Sequence, residues 1–206
     1  MINLYEHYPE LKSCEESIEK AYEMLKETYY SGGKILLCGN GGSCADCEHI
    51  VGELMKGFLS MREPDEETKA KISAKFPEDG EYFAKNLQRG IPAVSLSAHS
   101  GVFTAFVNDV TADMVYAQMV YGLGKENDLV WGISTSGNSG NVVNALKVAS
   151  ALGLKTLGMT GEKDSKMSAI CDETIKAPHH DTYRIQEYHL PIYHYLCAKL
   201  EKEIFG

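Results

Sequence analysis

The chain has 206 residues, of which 44% are hydrophobic and 24% are charged. These proportions are ordinary for a globular protein and exclude a disordered or fibrous chain. The formal net charge is −9 and only three residues are arginines, so the composition argues against a nucleic-acid-binding surface and against binding to an anionic membrane.

The length predicts one domain that covers residues 1–206. We expect no membrane span, because no apolar run is long enough, and no signal peptide, because the first residues lack its charged and apolar regions. Six cysteines are scattered through apolar segments, which indicates free thiols in a reducing cytoplasm. Cys44 and Cys47 have CxxC spacing, but we interpret them as ordinary helix residues because further metal ligands or a thioredoxin-like context are missing.

The predicted elements alternate between helices and short buried strands. An amphipathic helix is expected over residues 10–30, at the end of an N-terminal helical segment 1–30. Five short apolar segments predict strands at residues 34–38, 91–96, 128–134, 155–159 and 173–176. The clearest helix between them is 141–152, and a closing helix is expected over 182–205, interrupted by Pro191. This alternation predicts an α/β fold in which helices cover both faces of a mostly parallel sheet of about five strands.

Residues 59–90 do not follow this alternation. The segment is charged and shows no clear strand, with one helix expected near residues 81–88. It is either a solvated surface insertion or a lid or subunit-contact element, because long insertions in compact domains are often functional. The sequence leaves both interpretations open.

Two polar loops follow predicted strands and precede predicted helices. They are the glycine loop Gly39-Asn40-Gly41-Gly42-Ser43 and the serine loop Ser134-Thr135-Ser136-Gly137-Asn138-Ser139. In a parallel sheet both lie at the carboxyl edge, where glycine backbone, hydroxyl groups and helix N-termini can bind a phosphate. Each loop alone would be an ordinary turn with a serine cap, but the pair favours a phosphate site. The Walker A and GxGxxG patterns are absent.

Two pairs of polar residues have spacings that suit a metal site. His49 and Glu53 are four residues apart on the helix after the glycine loop, and Gln186 and His194 are eight residues apart in the last helix. Two imidazoles, a carboxylate and an amide oxygen suit zinc best. On spacing alone, a surface pair without a metal is the more common arrangement.

These motifs together resemble the bacterial phosphoheptose isomerases of the sugar isomerase (SIS) domain family. The resemblance covers nearly the whole chain and includes the serine loop, the His49/Glu53 pair, Asn108-Asp109, the RIQE motif at residues 184–187 and His194. It implies a three-layer αβα sandwich with a five-stranded parallel sheet and long terminal helices, assembled as a homotetramer. It also implies conversion of sedoheptulose 7-phosphate to a heptose 7-phosphate. The chain differs from the family at Ala98-His99-Ser100, at Tyr183 and in the longer 59–90 segment.

The resemblance also implies a role for each matching residue. His49, Glu53, Gln186 and His194 are the expected ligands of one zinc ion per subunit, and Glu53 and His194 are also the expected acid/base pair. The expected substrate-binding residues are Asn40, Gly41, Gly42, Ser43, Glu53, Asn108, Asp109, Ser134, Thr135, Ser136, Ser139 and Gln186. Whether Glu53 binds the metal or acts as a free base is left open by the sequence.

Two further functions compete with this interpretation. One is a phosphosugar-sensing or partner-binding SIS protein without catalysis, and the other is an isomerase for a different sugar phosphate. The retained His49, Glu53 and His194 favour an enzyme. Because Gln186 and His194 are about 12 Å apart along an ideal helix, a kink at Pro191 or ligands from neighbouring subunits would be needed for one metal ion to reach both. We favour the shared site.

Overall fold

The computed structural model describes residues 2–206 and contains one sheet of five parallel strands. The order across the sheet is β2-β1-β3-β4-β5. The strands are β1 (Ile35–Gly39), β2 (Ala93–Ser95), β3 (Leu129–Ile133), β4 (Lys155–Gly161) and β5 (Glu173–Ala177). Every residue of β1 and β3 is buried, as expected for strands covered on both faces. The predicted five-stranded parallel sheet is therefore confirmed.

Helices cover both faces of this sheet. They are α1 (Leu4–His7), α2 (Glu15–Tyr30), α3 (Gly42–Met55), α4 (Glu66–Lys75), α5 (Gly80–Asn86), α6 (Ser100–Asp109), α7 (Val115–Leu123), α8 (Gly140–Ala151) and α9 (Thr182–Phe205). Short 3₁₀ turns lie at Pro9–Cys14, Leu96–Ala98 and Ala112–Met114. Among residues 2–206, none of these helices combines the length and the apolar character needed to cross a membrane.

Two apolar clusters define the layers. Helices α2, α3 and α9 pack against one face, with Leu37 and Trp131 from the sheet. Helices α7 and α8 pack against the other face, with Leu36 and Val130. Because side chains alternate between the two faces of a strand, neighbouring residues of β1 enter opposite clusters. The result is the predicted three-layer sandwich.

Two elements differ most from their predicted bounds. The helix expected over 10–30 begins as the 3₁₀ turn Pro9–Cys14, and regular α-helix starts at Glu15. Ser13 Oγ donates to the Glu10 carbonyl over 2.9 Å, which offers the backbone a local partner in place of a helical bond. Strand β2 is shorter than predicted and ends where the next 3₁₀ turn begins at Leu96.

The 59–90 segment is more helical than the sequence predicted. It contains α5 close to the expected helix, but also α4, which the apolar pattern did not predict because α4 buries none of its residues. The local signal for α4 is its cap: Asp65 Oδ1 accepts a 2.8 Å hydrogen bond from the Thr68 N–H. A capping residue can therefore identify an exposed helix that has no apolar stripe.

The closing helix is not broken by Pro191, contrary to the prediction. Helix α9 continues from Thr182 to Phe205 with Pro191 buried inside it. The N–H that proline lacks would have bonded the Glu187 carbonyl, and Glu187 lies on the exposed side of the helix. The proline ring is buried, and the unbonded Glu187 carbonyl lies on the side of the helix that faces solvent. Proline is therefore tolerated at this position of α9.

All six cysteines are free thiols, as predicted. Cys14, Cys38, Cys47 and Cys197 are buried. Burial raises the pKa of the Cys38 thiol to about 12. A thiol that stays protonated at neutral pH is a poor nucleophile, so this residue packs as a small apolar group.

Candidate active site

The glycine loop and the serine loop lie side by side at the carboxyl edge of the sheet. They follow β1 and β3, which are neighbouring parallel strands. The Asn40 and Asn141 side-chain amides exchange two hydrogen bonds, each of 2.9 Å, and so join the glycine loop to the first turn of α8. The predicted meeting of the two loops is therefore observed.

The glycine loop brings Gln186 against the start of α3. Gly41 has φ +56°, a backbone conformation that glycine adopts far more readily than other residues. A Cβ atom built on Gly42 would lie only 1.9 Å from Gln186 Nε2, so the absence of a side chain at Gly42 lets the end of the Gln186 side chain lie against the helix. Gln186 thus lies where the helix N-terminus offers free backbone N–H groups.

Three hydroxyl groups of the serine loop converge. Ser134 Oγ lies 3.0 Å from Ser139 Oγ and 3.4 Å from Ser136 Oγ. The turn is closed by the Gly137 N–H, which donates to the Ser134 carbonyl over 2.9 Å with Gly137 at φ +62°. Ser139 is the N-cap residue of α8, yet its hydroxyl makes no capping bond to that helix. These hydroxyls and the helix N-terminus suit an anion such as phosphate.

A cavity of about 250 Å³ opens beside this loop. The residues that line it include Thr135, Ser136 and Asn138 of the serine loop, and His179 and His180. The cavity provides a polar space next to the hydroxyl cluster.

Ser43, the last residue of the glycine loop, is buried in the first turn of α3.

The acid/base candidates meet farther along α3, where it packs against α9. His49 Nε2 lies 3.2 Å from Glu53 Oε1 and 3.4 Å from His194 Nε2. The Phe58 ring packs against the His194 ring at a centroid distance of 5.4 Å. His49, Glu53 and His194 therefore come together within one chain, although 145 residues separate the two histidines.

Glu53 has one oxygen without a hydrogen bond. Oε1 faces His49, whereas Oε2 is buried and has no hydrogen-bond partner among residues 2–206. The closest positive charge is Lys56 Nζ, 3.5 Å from Oε2, which is an ion-pair distance rather than a directed hydrogen bond. A buried carboxylate oxygen in this state can accept a proton or bind a cation.

The chemistry of His49, Glu53 and His194 fits a zinc ion. Two imidazoles and a carboxylate form a known catalytic zinc donor set, and ligand atoms about 2 Å from a tetrahedral zinc are about 3.3 Å apart. The 3.2 Å and 3.4 Å separations around His49 Nε2 are close to that value. Within residues 2–206, however, no three His, Cys, Asp or Glu side chains already surround one metal position, so metal binding requires side-chain adjustment.

The structure does not bring Gln186, the fourth expected ligand, to these three residues within the chain. Gln186 contacts Gly42, and seven residues of α3 separate Gly42 from His49, which is about 10 Å of helix. Its neighbours are the glycine loop and Ile185, which lines the cavity beside the serine loop. In one chain, Gln186 is therefore placed with the loops.

Asn108 and Asp109 end the exposed helix α6. Asn108 Nδ2 donates to Asp109 Oδ1 over 2.8 Å, and both side chains are exposed. The next short turn brings Asp113 Oδ1 to 3.6 Å from the Cβ position of Gly140, at the start of α8. The structure places Asn108 and Asp109 at the exposed end of α6, with their polar side chains hydrogen-bonded to each other.

The sequence analysis assigned no role in the site to Tyr193, nor to Asp46, although Asp46 belongs to the motif that resembles the family. The Tyr193 hydroxyl lies 2.9 Å from His49 Nδ1 and donates to Asp46 Oδ1 over 3.3 Å. Asp46 is one helical turn before His49, a spacing that is visible in the sequence. Tyr193 directly precedes His194 in α9, and no motif in the sequence marks it.

Burial dominates the acid–base properties of this cluster. Burial and the nearby His49 lower the pKa of His194, while Glu53 opposes them. Burial raises the pKa of Tyr193 well above its usual range, and Asp46 adds to that effect. At neutral pH, His194 is thus a neutral imidazole that can accept a proton, and Tyr193 is an uncharged hydroxyl.

Comparison with known proteins shows the family to which the chain belongs. The SIS domain family matches the chain over two overlapping stretches, residues 9–95 and 76–161. The phosphoheptose isomerase of Aliarcobacter butzleri (strain RM4018) is 40% identical over 194 residues, which are 94% of this chain and 89% of that protein.

Solved structures of the same enzymes share the fold. Phosphoheptose isomerase GmhA from Neisseria gonorrhoeae has a TM-score of 0.75 and 30% identity, covering 94% of this chain and 90% of that chain. A phosphoheptose isomerase from Francisella tularensis has a TM-score of 0.77 and 25% identity over the same shares of the two chains. The chain therefore belongs to the SIS domain family and, within that family, to the phosphoheptose isomerases.

Proposed function

We propose that this chain isomerises the ketose sedoheptulose 7-phosphate to the aldose D-glycero-D-manno-heptose 7-phosphate through an enediol. The observation that carries the proposal is the meeting of Glu53 and His194 at His49. It provides a buried carboxylate oxygen without a hydrogen bond and a neutral imidazole side by side. An aldose–ketose isomerase needs these two groups, one to move a proton between carbons and one to move a proton between oxygens.

The serine loop binds the phosphate group of the substrate. Ser134, Ser136 and Ser139 supply three hydroxyl donors, and the first turn of α8 supplies backbone N–H groups. The remainder of the substrate is bound by Thr135, the glycine loop, Asn108 and Asp109. Binding energy from the phosphate positions the reacting carbons, which lie at the other end of the sugar.

Glu53 and His194 carry the proton transfers. Glu53 removes a proton from C1, the C–H electrons form the C1–C2 double bond, and the electrons of the C2 carbonyl move onto the C2 oxygen. The neutral His194 imidazole then accepts the proton of the C1 hydroxyl and delivers it to the C2 oxygen. As the C1 oxygen forms the new carbonyl, the electrons of the C1–C2 double bond take the proton back from Glu53 at C2. The net result moves the carbonyl group from C2 to C1 and leaves both side chains as they began.

His49, Glu53 and His194 would hold a zinc ion. When bound, the ion supplies a Lewis acid that polarises the carbonyl group and stabilises the negative charge of the enediolate. Glu53 can bind the metal with one oxygen and act as a base with the other. Oε1 faces His49, while Oε2 has no hydrogen-bond partner among residues 2–206. Gln186 of a neighbouring copy would complete the ligand set, since the Gln186 of the same chain packs at Gly42.

A homotetramer in the cytoplasm fits the same proposal. Helices α6 and α7 and the turn between them expose apolar side chains that a second copy can bury, among them Val102, Val107, Val110, Met114 and Tyr121. The six free thiols suit a reducing compartment. Light scattering of the purified protein measures the number of subunits directly.

The proposal is tested by incubating the purified chain with sedoheptulose 7-phosphate and measuring aldose 7-phosphate by chromatography. Product should form, and a chelator should stop its formation until zinc is added back. Fructose 6-phosphate serves as a matched ketose phosphate that is one carbon shorter. Faster turnover of fructose 6-phosphate would show that the preferred substrate is a different sugar phosphate. No turnover of either sugar in the presence of zinc would refute the proposed isomerase activity.

A further inference from the structure

Tyr193 connects Asp46 to His49 in the interior of the α3–α9 contact. The Tyr193 side chain is fully buried, and its ring stands edge-on to the His49 ring at a centroid distance of 5.4 Å. Its hydroxyl lies 2.9 Å from His49 Nδ1 and 3.3 Å from Asp46 Oδ1. One hydroxyl therefore bridges a carboxylate and an imidazole, and the direction of its single proton decides how the imidazole is used.

Asp46 fixes that direction. A carboxylate can only accept hydrogen bonds, and Asp46 Oδ2 is buried with no partner among residues 2–206. If the Tyr193 proton pointed to His49, Asp46 Oδ1 would lose its hydrogen bond from Tyr193 as well. An unpaired buried carboxylate is costly, so Tyr193 donates to Asp46 and its oxygen is left to accept from His49 Nδ1–H.

The state of His49 follows from this bond. A neutral imidazole that carries its proton on Nδ1 has a lone pair on Nε2. That nitrogen faces Glu53 Oε1 at 3.2 Å and His194 Nε2 at 3.4 Å. Acceptor atoms that face each other at such distances repel unless a cation or a proton lies between them.

We propose that Asp46 and Tyr193 are positioning residues, which hold His49 in the tautomer and orientation that present Nε2 to a divalent cation. The inference rests on the isomerase function proposed above and assigns two residues to it that neither touch the substrate nor bind the metal. A carboxylate that acts on a metal-binding histidine through a hydrogen bond is a recognised way to orient the ring and to raise its basicity. Here a tyrosine hydroxyl lies between the carboxylate and the ring.

The test is a pair of matched tyrosine variants on the same helix. Tyr193→Phe removes the bridging hydroxyl and keeps the ring. Tyr195→Phe removes a hydroxyl two residues away that donates to Glu19 over 3.0 Å, outside the site. Zinc affinity of the metal-free full chain is measured by competition with a chromophoric chelator, and circular dichroism checks that each variant is folded.

We expect Tyr193→Phe to weaken zinc binding by about 10- to 100-fold, the usual effect of removing such a partner, and Tyr195→Phe to leave it unchanged. Isomerase activity of Tyr193→Phe should fall at limiting zinc and recover in excess zinc, which a merely structural defect would not do. Asp46→Asn keeps an acceptor for Tyr193 but removes the charge, so it should weaken zinc binding less than Tyr193→Phe. It also serves as the test if Tyr193→Phe does not fold.

The outcomes separate this inference from the proposed function. Zinc affinities of Tyr193→Phe and Asp46→Asn within about twofold of the unmodified chain would overturn the positioning role while leaving the isomerase intact, because removal of such a partner usually has a larger effect. An unmodified chain that isomerises the sugar but binds no zinc would also overturn it. Absence of isomerase activity in the unmodified chain with zinc present refutes the proposed function instead.

Discussion

The Arg62 side chain donates a 2.8 Å hydrogen bond from Nε to Glu201 Oε1, and both residues are almost completely buried. The Glu201 carboxylate also accepts hydrogen bonds from the backbone N–H groups of Phe58 and Leu59, each 2.7 Å long. This ion pair ties the start of the charged 59–90 segment to the last helix. The start of the insertion is therefore held against the last helix, while its two helices α4 and α5 lie farther along the segment.

Arg62 also caps the helix that carries Glu53. Its guanidinium donates to the Leu54 carbonyl over 2.6 Å and to the Glu53 carbonyl over 2.9 Å. These carbonyls belong to the last turn of α3, where helical partners are missing and a positive charge is favourable. The ion pair thus supports the end of α3 next to the candidate active site.

Arg62→Ala should destabilise the protein by about 3–5 kcal/mol, because it leaves Glu201 as a buried charge without its partner. The free energy of unfolding is measured by urea denaturation. Arg184→Ala is the matched control: Arg184 pairs with Glu187 at the surface, so its loss should cost about 0–1 kcal/mol. Equal effects of the two variants would contradict the role assigned to the buried pair.

His189 should make the fold less stable in mild acid. It is buried, with Nε2 3.1 Å from the Thr160 carbonyl, and burial lowers the pKa of His189 from 6.5 to about 4. Between these two pH values the unfolded chain binds a proton that the folded chain does not, so stability falls as the pH falls. The total loss is about 3 kcal/mol, at 1.36 kcal/mol per pKa unit.

The prediction is checked by urea denaturation of His189→Gln between pH 7 and pH 4. Glutamine keeps a donor for the Thr160 carbonyl and does not titrate in this range. The variant should lose less stability than the unmodified chain on going to pH 4. Parallel losses in the two proteins would show that other groups set the acid sensitivity.

Glu53→Gln should lower kcat by at least about 100-fold, the usual scale for loss of a general base. The substitution keeps the shape of the side chain and removes its ability to take the C1 proton. Glu48→Gln, on the exposed side of the same helix, is the control and should retain normal kcat. A folded Glu53→Gln variant with near-normal kcat would exclude Glu53 as the base.

Ser136→Ala should raise KM for the sugar phosphate, with a loss of about 1–3 kcal/mol if a hydrogen bond to the charged phosphate is removed. Steady-state kinetics measures the effect, and Ser134→Ala and Ser139→Ala should act in the same direction because the three hydroxyls converge. Ser150→Ala, at the far end of α8, is the control. Unchanged KM in all three loop variants would defeat the phosphate assignment.

Mixed oligomers should reveal which ligands one chain supplies. His49 and His194 meet within a chain, so mixtures of His49→Ala and His194→Ala subunits should stay inactive. Gln186 lies at the other end of α3, so mixtures of His49→Ala and Gln186→Ala subunits should regain activity if the amide comes from a neighbour. Refolding the chains together and assaying with zinc provides the measurement, and activity in the first mixture would contradict the intrachain site.

The sequence by itself determined the five strands, the long helices and a set of candidate site residues. Buried strands were visible as short apolar segments, because a strand covered on both faces has no polar side. The two loops were identified because glycine backbone and serine hydroxyls placed directly after strands can bind a phosphate at the carboxyl edge of a parallel sheet. His49 and Glu53 were identified because i,i+4 spacing fixes their common helix face.

Only the tertiary structure decided which distant residues meet. The packing of α3 against α9 places His194 beside His49 and leaves Gln186 at Gly42, a distinction that spacing within α9 does not contain. The bridge through Tyr193 and the burial of Arg62 also depend on contacts between residues 139 or more positions apart. Periodicity describes one element at a time, whereas such contacts depend on how two elements pack, which is decided by the whole core.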